Sequence, residues 1–234
     1  MNILVYMASL LYGKDIFFDI VGTIVLTIIG ISTLKFYRMN PSNKKHLYFS
    51  IAFFLIAGGF LFNILTNFTI YYTAMEVRDL GLFKISYHVL KESDILFDIG
   101  FFFYRVLMLL GLYVLFSLYN KKSDASTNIL IVFLIVVLSY FTNSADYIFH
   151  LAVLLLLGFI TWRYYQNYMK CKECTAKYLV ISFAIITISH LLFILYLMHP
   201  AFVEYGEIVQ LAGYLGLAIT FISVKKHGKK KVKN

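Results

Sequence analysis

Long apolar segments, separated by short polar links, dominate the pattern of this chain. At 1.5 Å per residue, an α-helix of about 20 residues crosses the hydrocarbon core of a bilayer. The pattern predicts seven spanning helices, over residues 15–36, 46–72, 94–119, 126–142, 146–167, 177–198 and 204–224. The expected fold class is therefore all-α: a polytopic membrane protein whose residues 1–234 form a single seven-helix transmembrane bundle.

Composition agrees with this class and leaves no stretch for a separate soluble domain. The chain has 234 residues, of which 61% are hydrophobic and 14% charged, whereas a soluble domain carries roughly 25% charged residues. The apolar residues 1–12 lack a basic region and a cleavage site, so we interpret them as a lead-in to the first span. In the longest link, 73–93, we predict a short capping helix over residues 82–92.

Basic residues occupy alternate links, which predicts the orientation of the bundle. Lys and Arg concentrate on the cytoplasmic side of membrane proteins. We therefore expect a cell-membrane protein with its N-terminus outside and its C-terminus in the cytoplasm. The residues that support this are Lys35, Arg38, Lys44, Lys45, Lys121, Lys122, Arg163, Lys170, Lys172, Lys177 and the lysines of the tail.

The basic cytoplasmic tail, residues 225–234, is KKHGKKKVKN. We expect it to bind the anionic headgroups of the lipid bilayer, at roughly 1 kcal/mol per lysine near the surface. The net charge of +9 is explained by this membrane distribution, so no nucleic-acid partner is predicted.

A short acidic motif opens three of the predicted spans: DIFFDI at 15–20, DILFDI at 94–99 and DYIFHL at 146–151. The first acid of each copy is a candidate N-cap, where a carboxylate accepts orphan N–H groups and meets the positive end of the helix dipole. The second member lies one turn deeper, where ionisable groups usually face a bundle interior or a wet cavity. The first members are Asp15, Asp94 and Asp146, and the second are Asp19, Asp98 and His150.

Arg105 is the most costly residue of the chain, because it lies near the middle of a predicted span. A charge there costs a few kcal/mol unless it is paired. Its expected partners are Asp19, Glu207 and Gln210. Arg105 with such a partner is consistent with two roles. It could be a structural ion pair that fixes the third helix, or it could form the floor of a polar pocket that opens to the outside.

Polar residues on the other helices extend this pattern to a predicted binding site. Glu207 and Gln210 share one face of the last span with Tyr214, and Asn63 and Asn67 share one face of the second. We predict an outward-facing pocket for a small polar or cationic ligand. Its predicted lining is Asp19, Asn63, Asn67, Asp98, Arg105, His150, His190, Glu207 and Gln210.

A metal centre is a weaker hypothesis. Asp146 and His150 are four residues apart on one helix face, and with His190 or Glu207 they provide ligand types that bind zinc. Seven-helix hydrolases of the adiponectin-receptor and alkaline-ceramidase type carry clustered histidines, including a pair on the last helix. The last span here has none, so neither a resident metal nor another cofactor is predicted, and a metal-dependent intramembrane hydrolase is the least favoured class.

The C-terminal stretch ISHLLFILYLMHPAFVEYGEIVQLAGYLGLAITFISVKK, with its Gly-Tyr in the last helix and its basic exit, resembles the seven-helix sensory regions of microbial membrane proteins, such as the N-terminal parts of some histidine kinases. The resemblance implies a sensor: a ligand enters from outside, shifts the third or sixth helix and changes the cytoplasmic face. Since no kinase or cyclase sequence follows the last helix, a cytoplasmic or membrane partner is expected to receive the signal.

Two other functions remain open at this point. A small-solute or proton-coupled transporter would use Asp98 and Arg105 as its coupling pair, and a pocket continuous to the cytoplasm would favour it. An assembly subunit without any pocket is the other possibility.

Overall fold

The computed structural model describes residues 14–72, 76–79, 84–87, 94–118, 124–142, 145–171 and 174–231, with side chains over 16–67, 98–118, 124–142, 145–170 and 176–223. Seven helices and one two-stranded hairpin lie within these ranges. In chain order they are α1 Lys14–Met39, α2 Lys44–Tyr72, β1 Glu76–Asp79, β2 Lys84–Tyr87, α3 Asp94–Ser117, α4 Ala125–Phe141, α5 Asp146–Cys171, α6 Cys174–Leu195 and α7 Ala201–Lys231.

Each helix lies where the hydrophobic pattern predicted a span, so the helical class is confirmed. Six of the helices described contain apolar stretches of 20 to 25 residues, long enough to cross a membrane. The exception is α4, which is apolar but has only 17 residues. Helix α7 continues to Lys231, beyond the predicted end at 224, because lysine is a good helix former and no proline interrupts this segment.

The link between α2 and α3 differs from the prediction. The short helix predicted over 82–92 is wrong, since Lys84–Tyr87 forms a strand that pairs antiparallel with Glu76–Asp79. The strand alternates polar and apolar residues (Lys84, Ile85, Ser86, Tyr87), which is the period of a β-strand and not of a helix. Ile and Tyr also favour extended backbone.

The helices form a closed ring in the order α1, α2, α3, α5, α6, α7, with α1 packed against α7. The ring of Tyr104 in α3 lies 5.4 Å from that of Phe149 in α5, and the ring of Phe116 lies 6.1 Å from that of Phe159. Residue numbers rise together along both helices, so α3 and α5 run parallel. All odd-numbered helices run in one direction, away from the end of the bundle that we call the upper end; the sequence predicts that it faces outside.

Helix α4 lies outside the ring and packs on α3. It returns the chain to the upper end: Tyr113 of α3 donates a hydrogen bond to Asn128 at the start of α4, whereas Ser139 near its end lies opposite Asp98. Its outward faces expose large apolar side chains such as Ile129.

Glycines allow close packing in two of the helix pairs. A Cβ atom built on Gly111 of α3 would lie 2.8 Å from the carbonyl oxygen of Ala52 and 2.5 Å from Cγ1 of Ile56, both in α2. In the α6–α7 pair, Gly213 lies against Ile186 in the same way. Small residues at such contacts are typical of membrane helices, whose association depends on close van der Waals packing.

The lower half of the ring is a dry apolar core. Leu26, Phe53, Met108, Leu112 and Leu157 are almost fully buried there. The crevice among these side chains measures about 10 Å³, which is at the lower limit for a single water molecule. Polar chemistry in the described part of the ring is therefore concentrated in its upper half.

Candidate functional site

The polar residues of the upper half form three groups. The first joins α3 to the start of α5 and borders α4, the second joins α1 to α2 beside α7, and the third joins α5 to α6. Most of the nine predicted pocket residues belong to one of these groups. The groups are Asp98, Arg105 and Asp146; Asp19, Asn63, Gln210 and Tyr214; and His150 and His190.

Arg105 forms an ion pair with Asp146. The arginine side chain is only 5% exposed, whereas that of Asp146, in the first turn of α5, is 64% exposed. The guanidinium carbon also lies 5.7 Å from the centre of the Phe101 ring, within the range of a cation–π contact. The pair therefore joins a buried cation to an anion in contact with solvent.

The prediction that Asp19, Glu207 or Gln210 would be the partner of Arg105 was wrong, because the structure places the carboxylate of Asp146 there. Asp146 was interpreted as an N-cap. It is instead the first residue of α5, and that helix begins level with the middle of α3. The side chains of the other two N-cap candidates, Asp15 and Asp94, lie outside the described residues.

A cleft of about 430 Å³ opens at the surface between α3 and α4. Arg105 and Ser139 form the buried part of its lining, and Asp98 lies two turns above Arg105 on α3 at the exposed rim. The complete lining is Asp98, Ile99, Phe102, Arg105, Ser139, Tyr140 and Phe141. Its volume is within the range of small-molecule sites.

The charge and aromatic content of the cleft suit an organic cation. Asp146 balances the charge of Arg105, and Asp98 places a carboxylate at the rim of the cleft. Phe102 and Tyr140 provide aromatic faces, which attract cations electrostatically. Sequence reasoning found the charged residues of this cleft, but it missed Ser139, Tyr140 and Phe141 at the end of α4; the serine that interrupts an apolar helix was the available signal.

The second group joins α1 to α2. The Asn63 amide nitrogen donates a 2.6 Å hydrogen bond to an Asp19 carboxylate oxygen. The Asn63 amide oxygen is buried and has no hydrogen-bond partner among the described residues. On α7, the Gln210 amide nitrogen donates to the hydroxyl oxygen of Tyr214 at 3.2 Å, and both residues are buried.

Two other predicted pocket residues lie near this group in sequence. Glu207 is half-buried, three residues before Gln210 on α7, and Asn67 is half-buried, one turn beyond Asn63 on α2. The structure thus places the predicted polar faces of α2 and α7 on the inner side of the ring or at its border.

The third group is a histidine pair. Nδ1 of His150 lies 3.2 Å from Nδ1 of His190, so one ring donates a hydrogen bond to the other. His190 is fully buried, and the ring of Phe193 stacks on His150 with 4.9 Å between centroids. This aromatic packing is the ordinary environment of a buried structural pair.

The residues proposed as metal ligands do not converge on one point in the structure. Within the described part of the chain, no three His, Cys, Asp or Glu side chains come together in a way that would hold a metal ion. Asp146 is paired with Arg105. Its carboxylate is therefore directed to a cationic side chain.

An aromatic layer, which sequence reasoning did not identify, separates the polar groups from the dry core. Phe60 packs edge-on against Tyr214 at 5.6 Å and lies 6.2 Å from Tyr104. Phe149 extends the layer from Tyr104 toward His150. Layers of this kind are hard to recognise in a chain whose helices are aromatic on every side.

Searches against protein-family models, characterised proteins and solved structures find no match for this chain. Its function therefore has to be inferred from the geometry and chemistry of these three groups.

Proposed function

We propose that this protein is a multi-pass cell-membrane sensor in which a small organic cation binds from outside in the cleft between α3 and α4. The observation that supports this most directly is the cleft itself: a surface opening of about 430 Å³ with an ion pair at its base and aromatic walls. Ligand binding would change the conformation of the protein, and a signalling partner in the membrane or the cytoplasm would respond to that change.

Seven crossings, with the N-terminus outside, are part of the proposal. Helix α4 is short, but its direction supports a crossing, because α3 and α5 both begin at the upper end and α4 connects the bottom of one to the top of the other. The basic residues between successive helices favour placing the lower end in the cytoplasm.

Helix α4 is the natural moving part of this sensor. It packs on α3 but not within the ring. The bond between Tyr113 and Asn128 holds its lower end, while Tyr140 and Phe141 near its upper end border the cleft. A ligand that bridges Asp98 and these rings would pull the upper end of α4 toward α3 and tilt the helix about the Tyr113–Asn128 contact.

The packing of the lower half weighs against transport. The core around Phe53, Met108 and Leu157 encloses a crevice of only about 10 Å³, which is too small for a continuous water path through this part of the core. A sensor needs only one accessible face, which the cleft provides.

Binding of three probes of matched size tests the proposal: 2-phenylethylamine, 2-phenylethanol and phenylacetate, which differ in charge. They are titrated into the purified protein in lipid nanodiscs, and the midpoint of thermal unfolding is measured. The amine is expected to stabilise the protein, by about 2.7 kcal/mol at a hundred times its Kd. The alcohol and the carboxylate are expected to have little effect.

Asp98→Asn should weaken amine binding roughly fivefold, since an exposed ion pair contributes up to about 1 kcal/mol. Glu204→Gln is the matched control: Glu204 is an exposed acid in the first turn of α7, away from the cleft, and the amine should bind this variant normally. Equal effects of all three probes, or no effect of the amine, would contradict a cation-binding cleft. Uptake of labelled amine into proteoliposomes, above that of empty vesicles, would favour the transporter instead.

A further inference from the structure

We infer that Asp19 and Asn63 form an internal binding site for a sodium ion, separate from the amine cleft and independent of it. The site lies between α1 and α2 in the upper half of the ring. Sodium there would tie these two helices together and stabilise the folded bundle.

The orientation of the Asn63 amide is fixed by its contact with Asp19. A carboxylate accepts hydrogen bonds, so the amide group that lies 2.6 Å from the Asp19 oxygen must be the nitrogen. The amide oxygen is then the buried atom without a hydrogen-bond partner in the described part of the chain. Burying an acceptor in this way is unfavourable, so it marks a place where an additional group is expected to bind.

The chemistry at this place selects a small monovalent cation. Both side chains offer oxygen atoms, the ligands that hard cations prefer, and Na⁺ is close in size to Ca²⁺, which binds oxygen at about 2.3–2.6 Å. Because the Asn63 oxygen belongs to the same amide as the nitrogen in contact with Asp19, one ion can touch both residues. With only one carboxylate among its two side chains, the site suits a monovalent ion better than a divalent one.

The surroundings of the pair favour an ion that enters from the upper end. Asp19 is partly exposed there, whereas Phe60, one turn below Asn63, belongs to the aromatic layer above the dry core. The ion would therefore contact water on its upper side, and the aromatic layer would enclose it below.

Thermal unfolding of the purified protein in nanodiscs, in sodium, potassium or choline chloride at equal ionic strength, tests the site. Sodium should raise the midpoint above the values in the other two salts, with saturation, and each tenfold rise of sodium above its Kd should shift the folding equilibrium about tenfold. Asp19→Asn should abolish the sodium effect. Asp98→Asn, which changes the cleft between α3 and α4, should retain the sodium effect.

Asn63→Asp provides a second variant that does not depend on a loss of function. Two adjacent carboxylates favour a divalent cation, so Ca²⁺ should stabilise this variant but not the original protein. Equal midpoints in the three salts for the original protein, with no binding of radioactive sodium, would overturn the proposal. Persistence of the sodium effect in Asp19→Asn would do the same. The amine is tested through Asp98, whereas sodium is tested through Asp19 and Asn63. A failure of the amine to bind would therefore leave the sodium results unchanged.

Discussion

Removing either member of the Arg105–Asp146 pair should have unequal effects, because one member is buried and the other is not. Asp146→Asn takes the carboxylate away from a guanidinium whose side chain is 5% exposed. Arg105→Leu instead removes the buried charge and leaves Asp146, whose side chain is 64% exposed. The first change should therefore be the more harmful one.

The magnitudes follow from this geometry. Breaking a fully buried pair by removing one partner costs about 3–5 kcal/mol, and the open cleft reduces this to roughly 1–3 kcal/mol for Asp146→Asn. For Arg105→Leu, the lost contact with Phe101 costs about 0.5–1 kcal/mol, and the apolar leucine offsets part of it. The double variant should resemble Arg105→Leu alone, which corresponds to a coupling energy of about 1–2 kcal/mol.

Reversible unfolding of the purified protein in mixed micelles, with increasing fractions of a denaturing detergent, measures these free energies. The two single variants, the double variant and the original protein form a complete double-mutant cycle. A larger loss for Arg105→Leu than for Asp146→Asn would refute the reasoning, as would strictly additive effects in the double variant.

Three further predictions concern packing, the tail and topology. Gly111→Ala should be about 1–3 kcal/mol less stable than Gly158→Ala, because its Cβ would meet α2 whereas a Cβ at Gly158 has nothing within 4 Å; thermal unfolding of both variants provides the comparison. Anionic lipid in nanodiscs should stabilise the original protein more than a variant whose lysines in 225–233 are replaced by Gln, and salt should reduce the difference. After the two native cysteines are changed to Ser, an impermeant maleimide should label Glu204→Cys in intact cells and Asp124→Cys only after permeabilisation; the reverse pattern would contradict the proposed orientation.

Local pattern was enough to predict the helices. Helix α5 begins at Asp146, where its span was predicted to begin, and α3 covers Asp94–Ser117 against a predicted 94–119. An apolar run between polar links leaves the backbone few alternatives in a membrane, since its N–H and C=O groups must bond within the segment. The strand Lys84–Tyr87 was missed although its alternating pattern was present.

Contacts between helices could not be predicted in the same way. Helices that are apolar on nearly every side carry only a few polar residues to orient them, so the sequence did not show which helix would face Arg105. The partner, Asp146, is 41 residues away in the chain, and it reaches Arg105 because α4 lies outside the ring and lets α5 pack on α3. The three separate polar groups depend on this same arrangement.

The ring closes through two contacts that no short loop spans: α3 against α5, and α7 against α1. The bundle therefore consists of two three-helix units, α1–α3 and α5–α7, each with its own glycine-based contact. Two polypeptides produced by dividing the gene between α3 and α4 should accordingly find each other in the bilayer and reassemble. The Arg105–Asp146 pair would then be an intermolecular ion pair that joins the two polypeptides.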